Sequence, residues 1–158
     1  MEKVIENQNI NQKETWETRI IQLRRVSHTR AGGKKIRFRV VLVGGNKRGR
    51  VGVAVASAND VSNAIQKCAR LTEKRAIEVP VVNETIPYET RVQFKSITMI
   101  LKPQKRGKGL KAGTTVKMIC ELAGIKNLTA KKIGKTSNKM NIALATIKAL
   151  KSLKLKVK

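Results

Sequence analysis

The density of positive charge constrains this chain more strongly than any other feature. Its 158 residues include 35 Lys and Arg against 10 Asp and Glu, a formal net charge of +25 at pH 7. Self-repulsion of this size destabilises a compact state, and a polyanion relieves it by neutralising the cations and releasing counterions. The cations must therefore stay on the surface of a core built from the 41% of residues that are apolar. Because aromatic residues make up only 3%, that core is aliphatic.

The polyanion that fits this surface is a nucleic acid rather than a membrane. No apolar run approaches the roughly 18 residues of a membrane-spanning helix, and no strongly amphipathic lipid-binding face is present. After Thr90 the only acidic residue is Glu121, so the charge asymmetry sharpens along the chain. Since aromatic side chains for base stacking are scarce, we expect recognition of the backbone and shape of structured RNA.

The hydrophobic pattern of the first half predicts three strands followed by a helix. Residues 16–26 supply a first strand or a helix–strand junction, and Ile36, Phe38, Val40 and Leu42 alternate along a second strand. The third strand, residues 51–55, follows a basic turn over 44–49. A loop is predicted over residues 27–35, and a helix from residue 61 closes the unit near residue 76.

The second half predicts a further mixed unit. Strands are predicted over 90–94, 96–102 and 125–130, helices over 115–123 and 140–150, and a glycine-rich basic loop over 103–113. Gly124 is the predicted stop of the first of these helices, and a polar turn is predicted over 134–138. The predicted fold class is α+β. Its predicted divisions are a mobile extension (1–15), an N-terminal RNA-binding α/β domain (16–82), a C-terminal α/β domain (83–152) and a basic tail (153–158).

The glycine-rich loop of the second half is the first candidate site. Glycines at 107, 109 and 113 allow backbone N–H groups to approach an oxyanion, and the N-terminus of the following helix adds its positive dipole end. Four cations share the loop: Lys105, Arg106, Lys108 and Lys111. We predict phosphate binding here, against the alternative of a flexible solvated turn.

A nucleotide-dependent enzyme is the competing interpretation of this loop. The Gly107-x-Gly109-x-x-Ala112 pattern mimics a dinucleotide fingerprint, but the acid required about 20 residues later is missing because no acid follows Glu121. Gly134-Lys135-Thr136 resembles the end of a P-loop, yet Thr129 occupies the leading glycine position. We therefore predict no enzymatic activity, cofactor or small-molecule substrate.

The second candidate site is the basic segment between the first two strands. Hydroxyl groups among cations suit contacts to phosphate and 2′-hydroxyl oxygens. The predicted RNA-binding residues here are Arg24, Arg25, Ser27, His28, Thr29, Arg30, Lys34 and Lys35, with Lys47, Arg48, Arg50 and Lys135 in two further turns. His28, the only histidine, lies in a basic segment, and we predict phosphate contact or solvation for it rather than acid–base catalysis. Cys68 and Cys120 are predicted to be buried thiols rather than metal ligands.

Motifs in a fixed order resemble the family of the fifth protein of the bacterial-type small ribosomal subunit. They extend over roughly residues 16–150 and read Arg25-Val26-Ser27-x-Thr29, Gly32-Gly33-Lys34, Gly49-Arg50-Val51-Gly52, Ala64-Ile65-x-Lys67, Thr85-Ile86-Pro87, Gly107-x-Gly109-x-x-Ala112-Gly113 and Glu121-Leu122-Ala123-Gly124-Ile125. Departures include His28 and Ala31 where lysine is usual, Thr114 in place of a glycine, and Lys139 in place of a proline.

The resemblance implies a first domain similar to double-stranded-RNA-binding folds and a second domain of βαβ topology. It also implies small-subunit ribosomal RNA as partner, ribosomal proteins four and eight as neighbours, and messenger RNA nearby, with a role in decoding accuracy. The segment 27–35 would reach toward the RNA of the subunit head. No apolar signal segment follows Met1, and abundant Lys, Ile and Asn favour a ribosome of the plastid stroma, with the bacterial cytoplasm as the alternative.

Overall fold

The computed structural model describes residues 15–154, and these residues form two four-stranded sheets and three helices. The predicted α+β class is confirmed. In chain order the elements are β1 (Glu17–Arg30), β2 (Gly33–Gly45), β3 (Arg50–Ala58), α1 (Val61–Lys74), β4 (Ile77–Glu78), β5 (Thr90–Phe94), β6 (Ile97–Pro103), β7 (Leu110–Lys111), α2 (Thr114–Ala123), β8 (Leu128–Ile133) and α3 (Lys139–Lys151).

The first sheet is antiparallel, in the order β1-β2-β3-β4, with α1 on one face. Ala64 and Cys68 lie on the apolar side of α1 and are fully buried against the sheet. Val40 of β2 meets them from the sheet side. The helical spacing of apolar residues thus produces the helix that the sequence predicts, because that face is covered by the sheet.

The other face of this sheet carries the second half of the chain. Val41 and Val43 of β2 belong to a continuous core that includes Ile119 and Leu122 of α2. Residues 40–43 are therefore buried on both faces, which explains their uninterrupted apolar run. Ile36, Phe38, Val40 and Leu42 share one face of β2, as predicted, but only the inner end of that face is buried, since Ile36 is 44% exposed.

The second sheet has the order β5-β6-β8-β7, and β7 runs parallel to β8. The connection between these two strands is α2, so β7–α2–β8 forms a parallel crossover unit. The predicted loop over 103–113 therefore includes a short strand at Leu110–Lys111, which the sequence did not indicate.

The predicted strand over 125–130 begins three residues later, at Leu128. Gly124 ends α2 in the left-handed region with φ +86°, as predicted. The N–H of Ile125 then donates to the carbonyl of Cys120 (2.9 Å) and that of Gly124 to Glu121 (3.1 Å). Ile125 is thus part of a helix-terminating Schellman arrangement rather than of a strand.

The prediction of a loop over residues 27–35 is wrong. β1 and β2 stay paired from Glu17↔Gly45 out to Arg30↔Gly33, so only two residues, Ala31 and Gly32, make the turn. The polar composition suggested a loop, but solvent-exposed strands tolerate polar side chains on both faces as long as backbone pairing is kept.

The two chain ends were predicted to be a mobile extension and a basic tail. Residues 1–14 lie outside the described residues, as do residues 155–158. Leu153, the first residue of the predicted tail, is 5% exposed and packs in the main core. None of the helices described between residues 15 and 154 is long and apolar enough to cross a membrane.

Candidate nucleic-acid interface

The outer part of the β1–β2 hairpin projects from the body of the molecule as an arm. Every residue from 23 to 37 is exposed, and at about 3.3 Å per residue the eight residues from Leu23 to Arg30 extend about 26 Å. No acidic residue occurs between Glu17 and Asp60, so the arm contains no carboxylate that could neutralise its cations. The arm is therefore an exposed cationic element of the structure.

The strand register separates the side chains of the arm into two faces. Residues directly opposite one another share a face, and successive residues alternate between faces. One face, here called the basic face, unites Arg24 with Arg39, Val26 with Arg37 and His28 with Lys35, and ends at Arg30. Its cationic or titratable members are Arg24, His28, Arg30, Lys35, Arg37 and Arg39.

The opposite face of the arm is more apolar and carries fewer cations. It unites Arg25 with Phe38, Ser27 with Ile36 and Thr29 with Lys34. The eight residues predicted for this segment are therefore divided: Arg24, His28, Arg30 and Lys35 lie on the basic face, and Arg25, Ser27, Thr29 and Lys34 lie on the opposite face.

Arg37 and Arg39 complete the basic face, although the sequence reasoning did not include them among the candidate residues. They alternate with the apolar residues of β2 in sequence, which signals an outward-facing position. Their apposition to Val26 and Arg24 depends on the register of β1 against β2. Sequence pattern alone does not supply that register.

The glycine-rich loop presents its cations to solvent. Lys105, Arg106, Lys108 and Lys111 are all exposed. Gly107 has φ +87°, and a Cβ there would find no atom within 4 Å, so the backbone is open to a ligand at this position.

Gly109 behaves differently from Gly107. Its N–H donates to the side-chain oxygen of Asn127 (3.0 Å), and Asn127 is only 3% exposed. This amide is occupied within the protein, so the expected cradle of backbone N–H groups does not include it.

The remaining candidates lie in separate places. Lys47 forms an ion pair with Glu17 (2.5 Å), in the turn that joins β2 to β3 and contacts the end of α2. Arg48 is exposed and Arg50 half-buried in the same region. Lys135 is exposed in the turn before α3, where the base of the arm also lies.

The cysteines are buried thiols, as predicted. Cys68 donates to the backbone carbonyl of Ala54 (3.2 Å), and burial raises its pKa. Burial also raises the pKa of Cys120 to about 12. Both thiols are therefore protonated at neutral pH.

Two family models match the chain, one on each half. "Ribosomal protein S5, N-terminal domain" matches residues 16–80, and "Ribosomal protein S5, C-terminal domain" matches residues 92–156. The chain belongs to the ribosomal protein S5 family. This membership confirms the resemblance read from the ordered motifs.

Relatives of the ribosomal protein S5 family come from bacteria and from plastids. Small ribosomal subunit protein uS5 of Thermotoga neapolitana is 45% identical over 142 residues, which are 90% of this chain and 79% of the relative. Small ribosomal subunit protein uS5c of Cyanidium caldarium is 42% identical over 148 residues, 93% of this chain and 88% of the relative. The relative in Acaryochloris marina is 40% identical over 149 residues, 94% and 84% of the two chains.

Membership in the S5 family makes this chain a structural ribosomal protein and not an enzyme. Its place is the ribosome, and the bacterial and plastid-type relatives are consistent with a ribosome of either compartment.

Proposed function

We propose that this chain works in the small ribosomal subunit, where it binds small-subunit ribosomal RNA mainly through the basic face of the β1–β2 arm. Four arginines, a lysine and a histidine share that face: Arg24, Arg30, Arg37, Arg39, Lys35 and His28. The names of the relatives, small ribosomal subunit protein uS5 and uS5c, support the subunit.

The single observation that carries the proposal is the concentration of unneutralised charge on one face of an exposed arm. Among residues 15–154, no cation of this face forms a salt bridge. An RNA backbone offers a phosphate at each nucleotide and can run along a strand pair of this length. Arginine forks match phosphate oxygens in geometry as well as in charge.

A second contact region is proposed at the glycine-rich loop. Lys105, Arg106 and Lys108 are exposed around the open backbone of Gly107, and Lys111 follows them. Since the amide of Gly109 is already bonded to Asn127, we assign phosphate binding in this loop to the side chains rather than to a backbone cradle.

The finer assignments rest on the sequence resemblance. We propose ribosomal proteins four and eight as protein neighbours, a position near the messenger RNA entry region, and a contribution to decoding accuracy. We also propose the division into an N-terminal RNA-binding domain over 16–82 and a C-terminal α/β domain over 83–152, with the continuous core between the sheets as their shared interface.

Sucrose-gradient fractionation of a cell extract tests the subunit assignment. The chain is expected to migrate with small subunits and to stay with them through a moderate salt wash. A free-standing RNA chaperone or regulatory RNA-binding protein would instead remain in the light fractions, and that distribution would refute the proposal.

A further inference from the structure

A small cleft lies where the base of the arm meets the beginning of α3. Its lining residues are Gln22, Arg24, Arg39, Val41, Asn138 and Met140. Four of them come from the basic face and its continuation on β1 and β2, and two come from the start of α3 and the residue before it. The cleft therefore joins the two halves of the chain at one point.

Two guanidinium groups meet in this cleft. Arg24 pairs directly with Arg39 in the strand register, so their side chains leave the sheet on the same face. Like charges directly opposite one another destabilise a strand pair. Arginine at both positions therefore destabilises this part of the strand pair through charge repulsion. An anion bound between the two side chains would remove that repulsion.

The protein holds both guanidiniums with uncharged partners. With the Gln22 amide oriented to satisfy its neighbours, its oxygen accepts from Nε (2.6 Å) and Nη2 (2.9 Å) of Arg24. Nη2 of Arg39 lies 3.3 Å from the sulfur of Met140. Within residues 15–154, no carboxylate lies at salt-bridge distance from either guanidinium. Both side chains are thus positioned while their charges remain unneutralised.

The start of α3 adds to the positive potential. The side chain of Asn138 caps the helix by accepting from the N–H of Met140 (3.1 Å), and the first turn contains no acidic residue. The positive end of the helix dipole therefore faces the same region as the two arginines.

We propose that this Arg24–Arg39 cleft binds a single phosphate group of the RNA backbone, shared by both guanidiniums, and that this phosphate ties the arm to α3. The inference rests on the proposed RNA-binding function and adds a specific site to it. A phosphate oxyanion has the oxygens that two planar forks require, and it cancels the repulsion between them.

The sharing of one phosphate gives the site a distinct signature. The variants Arg24→Gln, Arg39→Gln and the double variant are compared for rebinding to small subunits reconstituted without this chain, over a range of KCl concentrations. Each single variant leaves one guanidinium on the phosphate, so the slope of log K against log [KCl] stays close to that of the wild type. The double variant releases the phosphate, and its slope is expected to become shallower by about 0.7–0.9.

The charge-matched control is Lys67→Gln with Arg70→Gln, two exposed positions on α1 at the far side of the first sheet. Its slope is expected to match the wild type. A double variant at Arg24 and Arg39 that keeps the wild-type slope, while the wild type rebinds normally, overturns the cleft alone. A wild-type chain that does not rebind overturns the proposed function together with the cleft.

A second measurement separates the RNA backbone from free phosphate as the source of the anion. Thermal unfolding of the isolated chain is followed with inorganic phosphate or chloride at equal ionic strength. A phosphate-specific rise in Tm in the wild type and the α1 control, but not in the Arg24/Arg39 double variant, shows that free phosphate also fits the site. A slope change without such a rise assigns the site to the RNA backbone alone, and an equal rise in all three proteins contradicts a site at these arginines.

Discussion

The contact between Gly124 and the turn of residues 46–49 offers a quantitative test of how the two halves are joined. Gly124 has φ +86°, and a Cβ there would fall within the Lys47 carbonyl group, closer than real Cβ atoms approach. The turn is held to the end of α2 by two backbone hydrogen bonds of 2.9 Å, from Lys47 to Leu122 and from Gly49 to Ala123. Gly124→Ala must therefore strain the backbone and displace this turn.

The expected cost of Gly124→Ala follows from these contacts. A left-handed alanine costs about 1–2 kcal/mol. Loss of the two hydrogen bonds adds about 0.5–1.5 kcal/mol each. We expect the free energy of unfolding to fall by about 2–5 kcal/mol.

Urea unfolding followed by tryptophan fluorescence and far-UV circular dichroism measures this loss. Trp16 is the only tryptophan and packs against Gly44 of β2, so its emission reports on the first sheet. Gly107→Ala is the matched control, since Gly107 has φ +87° but a Cβ there meets no atom within 4 Å. Gly107→Ala should lower the free energy of unfolding only by the conformational strain of a left-handed alanine, about 1–2 kcal/mol. Equal losses in the two variants would refute the argument from close approach.

Three further predictions concern single side chains. Asn127→Ala leaves the Gly109 N–H without its 3.0 Å acceptor, so we expect faster amide exchange at Gly109 and a stability loss of about 1–3 kcal/mol; unchanged exchange contradicts the contact. Asn138→Ala removes the cap of α3 and should lower the free energy of unfolding by about 0.5–2 kcal/mol in urea titrations. An unchanged free energy of unfolding would show that the cap does not stabilise the helix. Because burial raises the pKa of Cys120 to about 12, a thiolate-specific reagent at pH 8 should modify it only as the protein opens; immediate modification of the native chain contradicts this.

Sequence periodicity predicted the helices that lie outside the arm. In α1, apolar residues at helical spacing predicted both the helix and its buried side, including the fully buried Ala64 and Cys68. In α2, the terminating glycine was predicted because a left-handed residue is needed where the helix ends. These features depend on local conformation and on burial of one helix face. The first is visible in the sequence as a glycine at the helix end, and the second as apolar residues at helical spacing.

The arm could not be predicted in the same way. Its outer segment, residues 27–35, pairs without a core behind it, so no alternation of apolar and polar residues marks it and it resembled a loop. The division of its cations into two faces depends on pairings such as Arg24 with Arg39, which are fixed by the register of two distant segments. Composition predicted a basic site here, but only the strand pairing shows which face is basic.

In the glycine-rich loop, the hydrogen bonding of the backbone amides and the short strand both depend on tertiary contacts. Its cations are exposed as expected, but Asn127, which follows α2 in sequence, occupies the amide of Gly109. Nothing in the local motif indicates that partner. The short strand at Leu110–Lys111 likewise exists because β8 lies beside it.

We expect RNA to cover the basic face of the β1–β2 arm. A cryo-electron microscopy map of the small subunit containing this chain would show whether it does. Phosphate oxygens are expected at about 2.7–3.2 Å from the guanidinium nitrogens of that face, with one phosphate between Arg24 and Arg39. A map in which Arg30, Arg37 and Arg39 face open solvent while RNA lies against the opposite face would contradict the claim.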